Sequence, residues 1–448
     1  MPKREGQKKT DAPRGAGATR DAGEAAVVRT SPFHARTAAL NQVQLWSHWS
    51  NYLAAGRYQL SDKAEYFAVR NAAGIFDSSP LYKYRIGGPD AEAFLAGVLA
   101  RDIWACPPGR AQYTCWLDDD GFVVEDGVVL HLPQSRPSVN EYLLTSAEPN
   151  LAWFADRVGR LDVRIDEVSD DMGTLALQGP RSRGLLAKLV PQAETLPYFG
   201  VTAGKIGGAA VTVSRTGFTG DLGYEIWVDA GDGLRVWDEL WDAVQGHGVQ
   251  QFGLDALNML RIEAGMLELG ADFDSSRYAF NDAHRSTPLE LGWGWMFGDL
   301  KRDDRAFVGR RALEAEIAGK TSRWAMRGLV LDWQDYDQVY DEAGLIPPKD
   351  HTPVIGDSML YEDAAGAGGA AASGGQGGSG VALGQAGYAT SFMYSPMLQR
   401  HIAIARMRPD LAKPGTRVKL ELTVDHHYEQ VAAHVARLPL YNPERKTA

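Results

Sequence analysis

Cysteine is almost missing from this chain of 448 residues: only Cys106 and Cys115 occur. Two cysteines cannot make a disulfide framework or a four-cysteine zinc site, so both are read as structural and a reducing compartment is expected. A basic excess is missing too. With 46 Lys and Arg against 57 Asp and Glu, the formal net charge is −11. That is the wrong sign for general nucleic-acid binding, which draws its affinity from neutralised phosphates. It leaves room for a locally basic pocket around a small anion. No apolar run approaches the roughly 20 residues of a membrane span. The opening stretch, basic and then rich in Gly and Ala, lacks the apolar segment of a secretory signal. The expectation is a cytoplasmic protein with neither nucleic acid nor membrane as partner. There is no HExxH and no nucleophile elbow. His426 and His427 are adjacent, and adjacent strand positions face opposite ways, so no metal site is expected there or elsewhere.

What is present is the balance of a globular protein, 44% apolar and 23% charged, long enough for two or three domains. Residues 1–30 read as a disordered tail. Lys83–Ile86 reads as a strand, and PDAEAFLAGVLARDI, with Phe94, Leu95, Val98, Leu99 and Ile103 at helical spacing, as a helix. Two strands, Tyr113–Leu117 and Phe122–Leu132, flank the acidic turn DDDG. Residues 209–228 read as a hairpin around TGFTGDLG. An amphipathic helix follows, with Leu234, Trp237, Leu240, Trp241 and Val244 on one face, and another helix is expected at DALNMLRIEAGML. A break falls near 314–325. After it RGLVLDW, TPVIGDSMLY, IAIARM and RVKLEL are short strands of a small β-barrel. The Gly-rich run 364–380 inside the barrel reads as a flexible insert, with no strand before or helix after to make a phosphate cradle. No internal repeat is strong enough to argue from.

Two segments could carry chemistry. In SRTGFTGDLGYEIWV, Glu225 points opposite to Tyr224 and Ile226, so it either faces solvent or serves a ligand. In YTCWLDDDGFVVEDGVVL, Asp118, Asp119 and Asp120 sit in a solvated turn. Asp126 lies within an apolar strand pattern, where a carboxylate must be hydrogen-bonded, paired or functional.

RTGFTGDLGYE resembles the RTG-x-TG-[DE]-x-G-[FY]-E signature of the aminomethyltransferase family, the T-protein of glycine cleavage. AVRNAAGIFDSSP, IGGPDAEAFL, LQGPRS, GLDALNMLRIEAGM, PLELGWGWM, FVGRRAL and GYATSFMYSPMLQRHIAIARM resemble further family blocks in order, from about residue 60 to about 425. The resemblance implies an α+β fold, a three-subdomain cloverleaf of mixed sheets and helices around a folate site, with a C-terminal β-barrel. Two subdomains would span 31–315 and the barrel 325–440. It implies tetrahydrofolate as cofactor, Asp126 as the catalytic acid beside Glu125, and Tyr113, Glu225 and Arg261 as folate contacts. Arg445, with Lys446, could reach the anionic glutamate tail. From its residues alone, Arg261 reads as a helix-surface ion pair with Glu263 or Asp255.

Several positions depart from the family pattern. A Ser-His-Met becomes Ser79-Pro80-Leu81, an N-A-x-N becomes Thr145-Ser146-Ala147-Glu148, and two tyrosines become Leu269 and Phe218. The segment WSHWSNYL lacks the family's GW-x-MP. These changes bear on the one-carbon donor, so three functions are carried forward. One is an aminomethyltransferase served by a lipoyl carrier protein. The second is a demethylase of a small-molecule N-, O- (aromatic methoxy) or S-methyl donor, the branch with aromatic O-demethylases that WSHWSNYL and the PERKTA ending resemble. The third is a non-catalytic folate binder assisting iron–sulfur protein maturation, whose KGC-[FY]-x-GQE motif is absent.

Overall fold

Two Gly-Pro steps, Gly88-Pro89 and Gly179-Pro180, begin the same structural unit twice. At each the glycine has a positive φ, 121° and 127°, open to residues without a Cβ. A Cβ would stand 2.6 Å from the Asp162 carbonyl at the first and 2.4 Å from the Val69 carbonyl at the second. Each step leaves a strand, Tyr82–Gly87 or Met172–Gln178, and enters a helix, Ala91–Val98 or Ser182–Leu186. A three-stranded meander follows in each, and its last strand returns beside the first. The structure, a computed structural model, describes residues 28–133, 140–298, 300, 305–363 and 384–448. The Gly-rich run and most of the expected tail lie outside them.

The first unit builds a five-stranded sheet in the order Arg110–Leu117, Val123–His131, Glu141–Ser146, Tyr82–Gly87, Arg164–Glu167. The second builds a six-stranded sheet, Val201–Ile206, Ala209–Ser214, Gly223–Asp229, Met172–Gln178, Ala73–Asp77, Val249–Gln251, whose last strand is parallel to its neighbour. The repeat was hidden in sequence because beyond Gly-Pro the two copies share little.

Helix Gly233–Val244 covers the second sheet with Val236, Trp237, Leu240 and Val244. Leu234, expected on that face, is 37% exposed; one turn is shared by too many apolar residues for spacing alone to choose among them. Helix Arg310–Gly319 runs into the expected break. Its only buried apolar residue is Leu313, so it has little periodicity to show.

The C-terminal region is a closed barrel of six antiparallel strands: Ala325–Leu331, Arg400–Met407, Gln385–Ser395, Val354–Glu362, Arg417–Val424 and His427–Ala436. Small residues such as Ala389, Ala403, Ala405 and Ala433 fill its interior, as a narrow barrel requires. A helix, Trp333–Glu342, packs against strand His427–Ala436 and adds Tyr336 to the same core.

Helix Leu254–Glu263 joins the units. Its Glu263 accepts hydrogen bonds from Arg70 (2.6 Å), Tyr66 (2.5 Å) and the barrel's Ser395. Its Arg261 binds Asp272 at 2.6 Å, and Asp272 in turn accepts from the barrel's Thr390 and Ser391. Among the described residues no helix is long and apolar enough to cross a membrane.

Candidate active site

The two sheets touch where Ala111, Leu130 and Leu143 meet Val201 and Trp227. Beyond that contact they part around a cavity of about 1730 Å³. Pleating decides which side chains reach it. On the second sheet Tyr224 and Ile226 enter the helix-side core, so Glu225 between them faces the cavity. On the first sheet Asp126, paired with Cys115, and Tyr113, paired with Val128, share the cavity face. Tyr113, Asp126 and Glu225 therefore line one space from opposite walls.

The signature around Glu225 has a packing reason. The Gln178 side chain crosses the turn and donates to the carbonyls of Thr216 (3.1 Å) and Tyr224 (3.2 Å). A Cβ on Gly217 or Gly223 would lie 2.0 or 2.2 Å from Gln178 Oε1, and one on Gly220 (φ 71°) 2.3 Å from the Ala264 methyl. The glycines thus let the turn fold over Gln178 and against the end of helix Leu254–Glu263. A relay then orients the acid: Trp227 donates to Ser214 (3.1 Å), Ser214 and Thr216 share a hydrogen bond (2.6 Å), and Thr216 donates to Glu225. Burial raises the Glu225 carboxyl above its ordinary range, and Thr216 and the ammonium of Lys83 oppose the rise.

On the facing wall Tyr113 donates its hydroxyl to Asp126 at 2.6 Å. Burial pushes Asp126 up to about 6, with the Tyr113 bond opposing and the charge of Glu268 adding. Glu125, fully buried behind it, accepts from the Glu148 backbone N–H at 3.1 Å. Burial and then the Asp126 charge hold Glu125 well above the carboxylate range. Adjacent carboxyls in a low dielectric do not both ionise cheaply, so the two titrate as a pair in which Glu125 is the weaker acid. Trp293 and Trp295 flank the Tyr113 ring, at 5.6 Å edge-on and 6.4 Å nearly parallel.

Arg261 and Arg445 stand outside this lining. Arg261 is fully buried and holds Asp272 (2.6 Å) and Glu268 (2.8 Å). It reaches the cavity through Glu268 and through Asn258, which accepts from it at 2.9 Å, and both line the space. The surface pairing read for it from sequence is overturned. Asp255 pairs with Arg57 and Glu263 with Arg70. Arg445 is bound by Asp221 at 2.7 Å, while its neighbour Lys446 lines the cavity. Sequence reasoning missed Gln178, Thr216, Glu268 and Lys83, since nothing local distinguishes a cavity residue from a surface one. The departures Leu81, Thr145, Glu148, Phe218 and Leu269 all line the same space.

Comparison with known proteins gives a consistent picture. Residues 31–298 match the profile of the GCVT N-terminal domain, and 367–442 that of the glycine cleavage T-protein C-terminal barrel domain. An aminomethyltransferase of Cutibacterium acnes is 33% identical over 85% of this chain and 90% of its own. The heme-dependent oxidative N-demethylase gamma subunit of Ectopseudomonas mendocina is 30% identical over 89% and 92%. Trimethylamine-oxide aldolase of Ruegeria pomeroyi is 30% identical over 85% of this chain, which spans only 43% of that longer protein. The crystal structure of the glycine cleavage system aminomethyltransferase T of Bartonella henselae superposes with a TM-score of 0.73 over 93% of this chain and 99% of its own, at 20% identity.

Proposed function

The chain belongs to the aminomethyltransferase family of the glycine cleavage T-protein, and from that premise we propose that it transfers a one-carbon group, aminomethyl or methyl, to N5 of tetrahydrofolate. The observation that carries the reading is the pair of acids, Asp126 and Glu225, on facing walls of one cavity. The cavity fits a folate in size and chemistry. Its volume exceeds that of most small-ligand sites. Tyr113 and Trp295 offer aromatic surface to a flat ring. Gln112 and Arg215, both lining residues, each leave a buried N–H without a protein acceptor.

When bound, tetrahydrofolate supplies the nucleophilic nitrogen that receives the carbon. The rest falls to the chain. Glu225 accepts N–H groups from the pterin edge, charge-assisted bonds stronger than neutral ones. Asp126, oriented by Tyr113, holds its charge toward the reacting nitrogen and takes up the proton released there. The two sheets and helix Leu254–Glu263 wall the cavity and hold two reactants together, the larger part of the acceleration in such transfers. The protein acts in the cytoplasm on this reading. Its donor is a small molecule or the arm of a lipoyl carrier protein.

A second reading, a folate-dependent demethylase, is favoured by one observation. The family departures Leu81, Thr145, Glu148 and Leu269 gather on the cavity wall, where a different donor would be met. The N-demethylase subunit among the relatives agrees with it. Incubation with tetrahydrofolate and candidate donors, read by product, separates the readings. Methylene product with ammonia selects aminomethyl transfer, and methyl product with a demethylated compound selects demethylation. Folate binding without turnover selects the non-catalytic role. Absence of folate binding ends the proposal.

A further inference from the structure

Among the described residues Lys83 is the one fully buried lysine. It stands on strand Tyr82–Gly87 of the first sheet, is 0% exposed, and donates to the carbonyls of Ser79 (2.6 Å) and Leu81 (2.8 Å). No carboxylate comes within ion-pair distance of it among the described residues. A buried ammonium without a paired anion is costly, and two backbone carbonyls satisfy only two of its three donors. Its strand partner is Thr145, a cavity residue. The turn it grips, Ser79 to Leu81, is tied to the second sheet through the Ser79 hydroxyl, which accepts from the Thr174 N–H at 3.1 Å. Thr174 pairs with Trp227, two residues from Glu225.

We propose that Lys83 is a positioning residue for Glu225: from the facing sheet, where its turn is tied to the strand beside Glu225, it keeps that carboxylate anionic, so that ligand N–H groups rather than a proton occupy it. The inference rests on the folate reading of the cavity. The charged groups acting on Lys83 are Asp77 and Glu225. Asp77 is already engaged by the Ser31 hydroxyl and the Ser79 N–H. Around Glu225 the groups are Thr216, a neutral donor, and the Lys83 cation. Burial draws Lys83 down to about 8 while the two acids hold it up, so it remains charged at neutral pH. Without it, Glu225 would be a buried acid facing a neutral hydroxyl, and protonation would follow. A protonated carboxyl offers a donor where the pterin edge also offers donors.

The test is the affinity for tetrahydrofolate, measured anaerobically by calorimetry at pH 6 and pH 8. In the wild type the two values should agree within about twofold. In Lys83→Met the affinity should fall about tenfold more at pH 6 than at pH 8, the equivalent of a one-unit rise in Glu225. Lys83→Arg should restore the flat profile, and Lys83→Met in a Glu225→Gln background should add no pH dependence. A purely structural lysine would weaken binding equally at both pH values and overturn the proposal. If Lys83→Met does not fold, Lys83→Gln, which keeps an amide donor toward the carbonyls, takes its place. NMR of carboxyl-labelled glutamate, assigned with Glu225→Gln, decides independently. An anionic Glu225 in the wild type at pH 7 supports the inference, and a protonated one removes it. Should tetrahydrofolate not bind at all, the folate reading fails, and the NMR result still judges Lys83.

Discussion

Glu263 and Asp272 differ from Asp126 and Glu225 in one respect: who answers their charge. Glu263 and Asp272 are buried and each faces an arginine at 2.6 Å. Asp126 and Glu225 are answered by hydroxyls, Tyr113 and Thr216, with no cation at ion-pair distance among the described residues. A buried acid with an arginine has its charge compensated inside the protein and becomes a rivet between elements. A buried acid with only a hydroxyl keeps unspent capacity to accept, and in a cavity that capacity points at a ligand. The first pair holds helix Leu254–Glu263 to the barrel. The second faces the space between the sheets.

The comparison breaks most visibly at Asp126. Asp126→Asn should lower turnover by roughly 10²–10⁴-fold, the range for a lost general acid or base, while affinity for tetrahydrofolate stays within a few-fold. Steady-state kinetics with the identified donor checks this, and unchanged turnover would remove Asp126 from the chemistry. Glu263→Gln should act in the opposite sense. It leaves Arg70 with only the more distant Asp221, at 3.5 Å, and urea unfolding should show a loss of about 3 kcal/mol, the low end for a broken buried pair. A loss under about 1 kcal/mol would mean that the rivet is not one. Glu225→Gln should weaken tetrahydrofolate binding by on the order of 1.5–3 kcal/mol, the worth of hydrogen bonds to a charged group, with little change in melting temperature. Equal binding by the variant would place the pterin elsewhere.

Much of this contrast was legible in the sequence, and the parts that were not have physical causes. Strand alternation put Glu225 opposite Tyr224 and Ile226, and an apolar strand around Asp126 marked it as a carboxylate needing a partner. Those two statements require only local geometry. The signature glycines were visible as a pattern, yet their reason, the Gln178 side chain under the turn, lies some 40 residues away. Arg261 shows the same limit. Its helical neighbours Glu263 and Asp255 are near in sequence, but the fold gives them to Arg70 and Arg57 and gives Arg261 to Asp272. The repeated strand–helix–meander unit escaped notice because its backbone path is preserved by two Gly-Pro steps and little else. Pairings across distant elements are set by the packing of whole sheets, and no window of sequence contains them.

The smallest expected effect is on stability, and its sign separates the two kinds of acid once more. Asp126 titrates near 6 in the folded protein, against 3.8 for an ordinary aspartate, chiefly because of burial. The folded state therefore holds the proton more tightly than the unfolded chain. This favours folding below pH 3.8 and is lost as pH rises through about 6. Above that the wild type carries a destabilising charge. At about 1.4 kcal/mol per pH unit the full change would be worth ~3 kcal/mol. The opening of the cavity to solvent and the shared titration with Glu125 reduce it to on the order of 1–2 kcal/mol. Asp126→Asn has no charge to bury, so it should be more stable than the wild type by that amount at pH 8, and the advantage should vanish toward pH 4. Urea unfolding across that interval reads the difference directly. Glu263→Gln, measured beside it, should be destabilised at pH 8. If both substitutions moved stability in the same direction there, the distinction between riveting acids and ligand-facing acids would have no energetic basis.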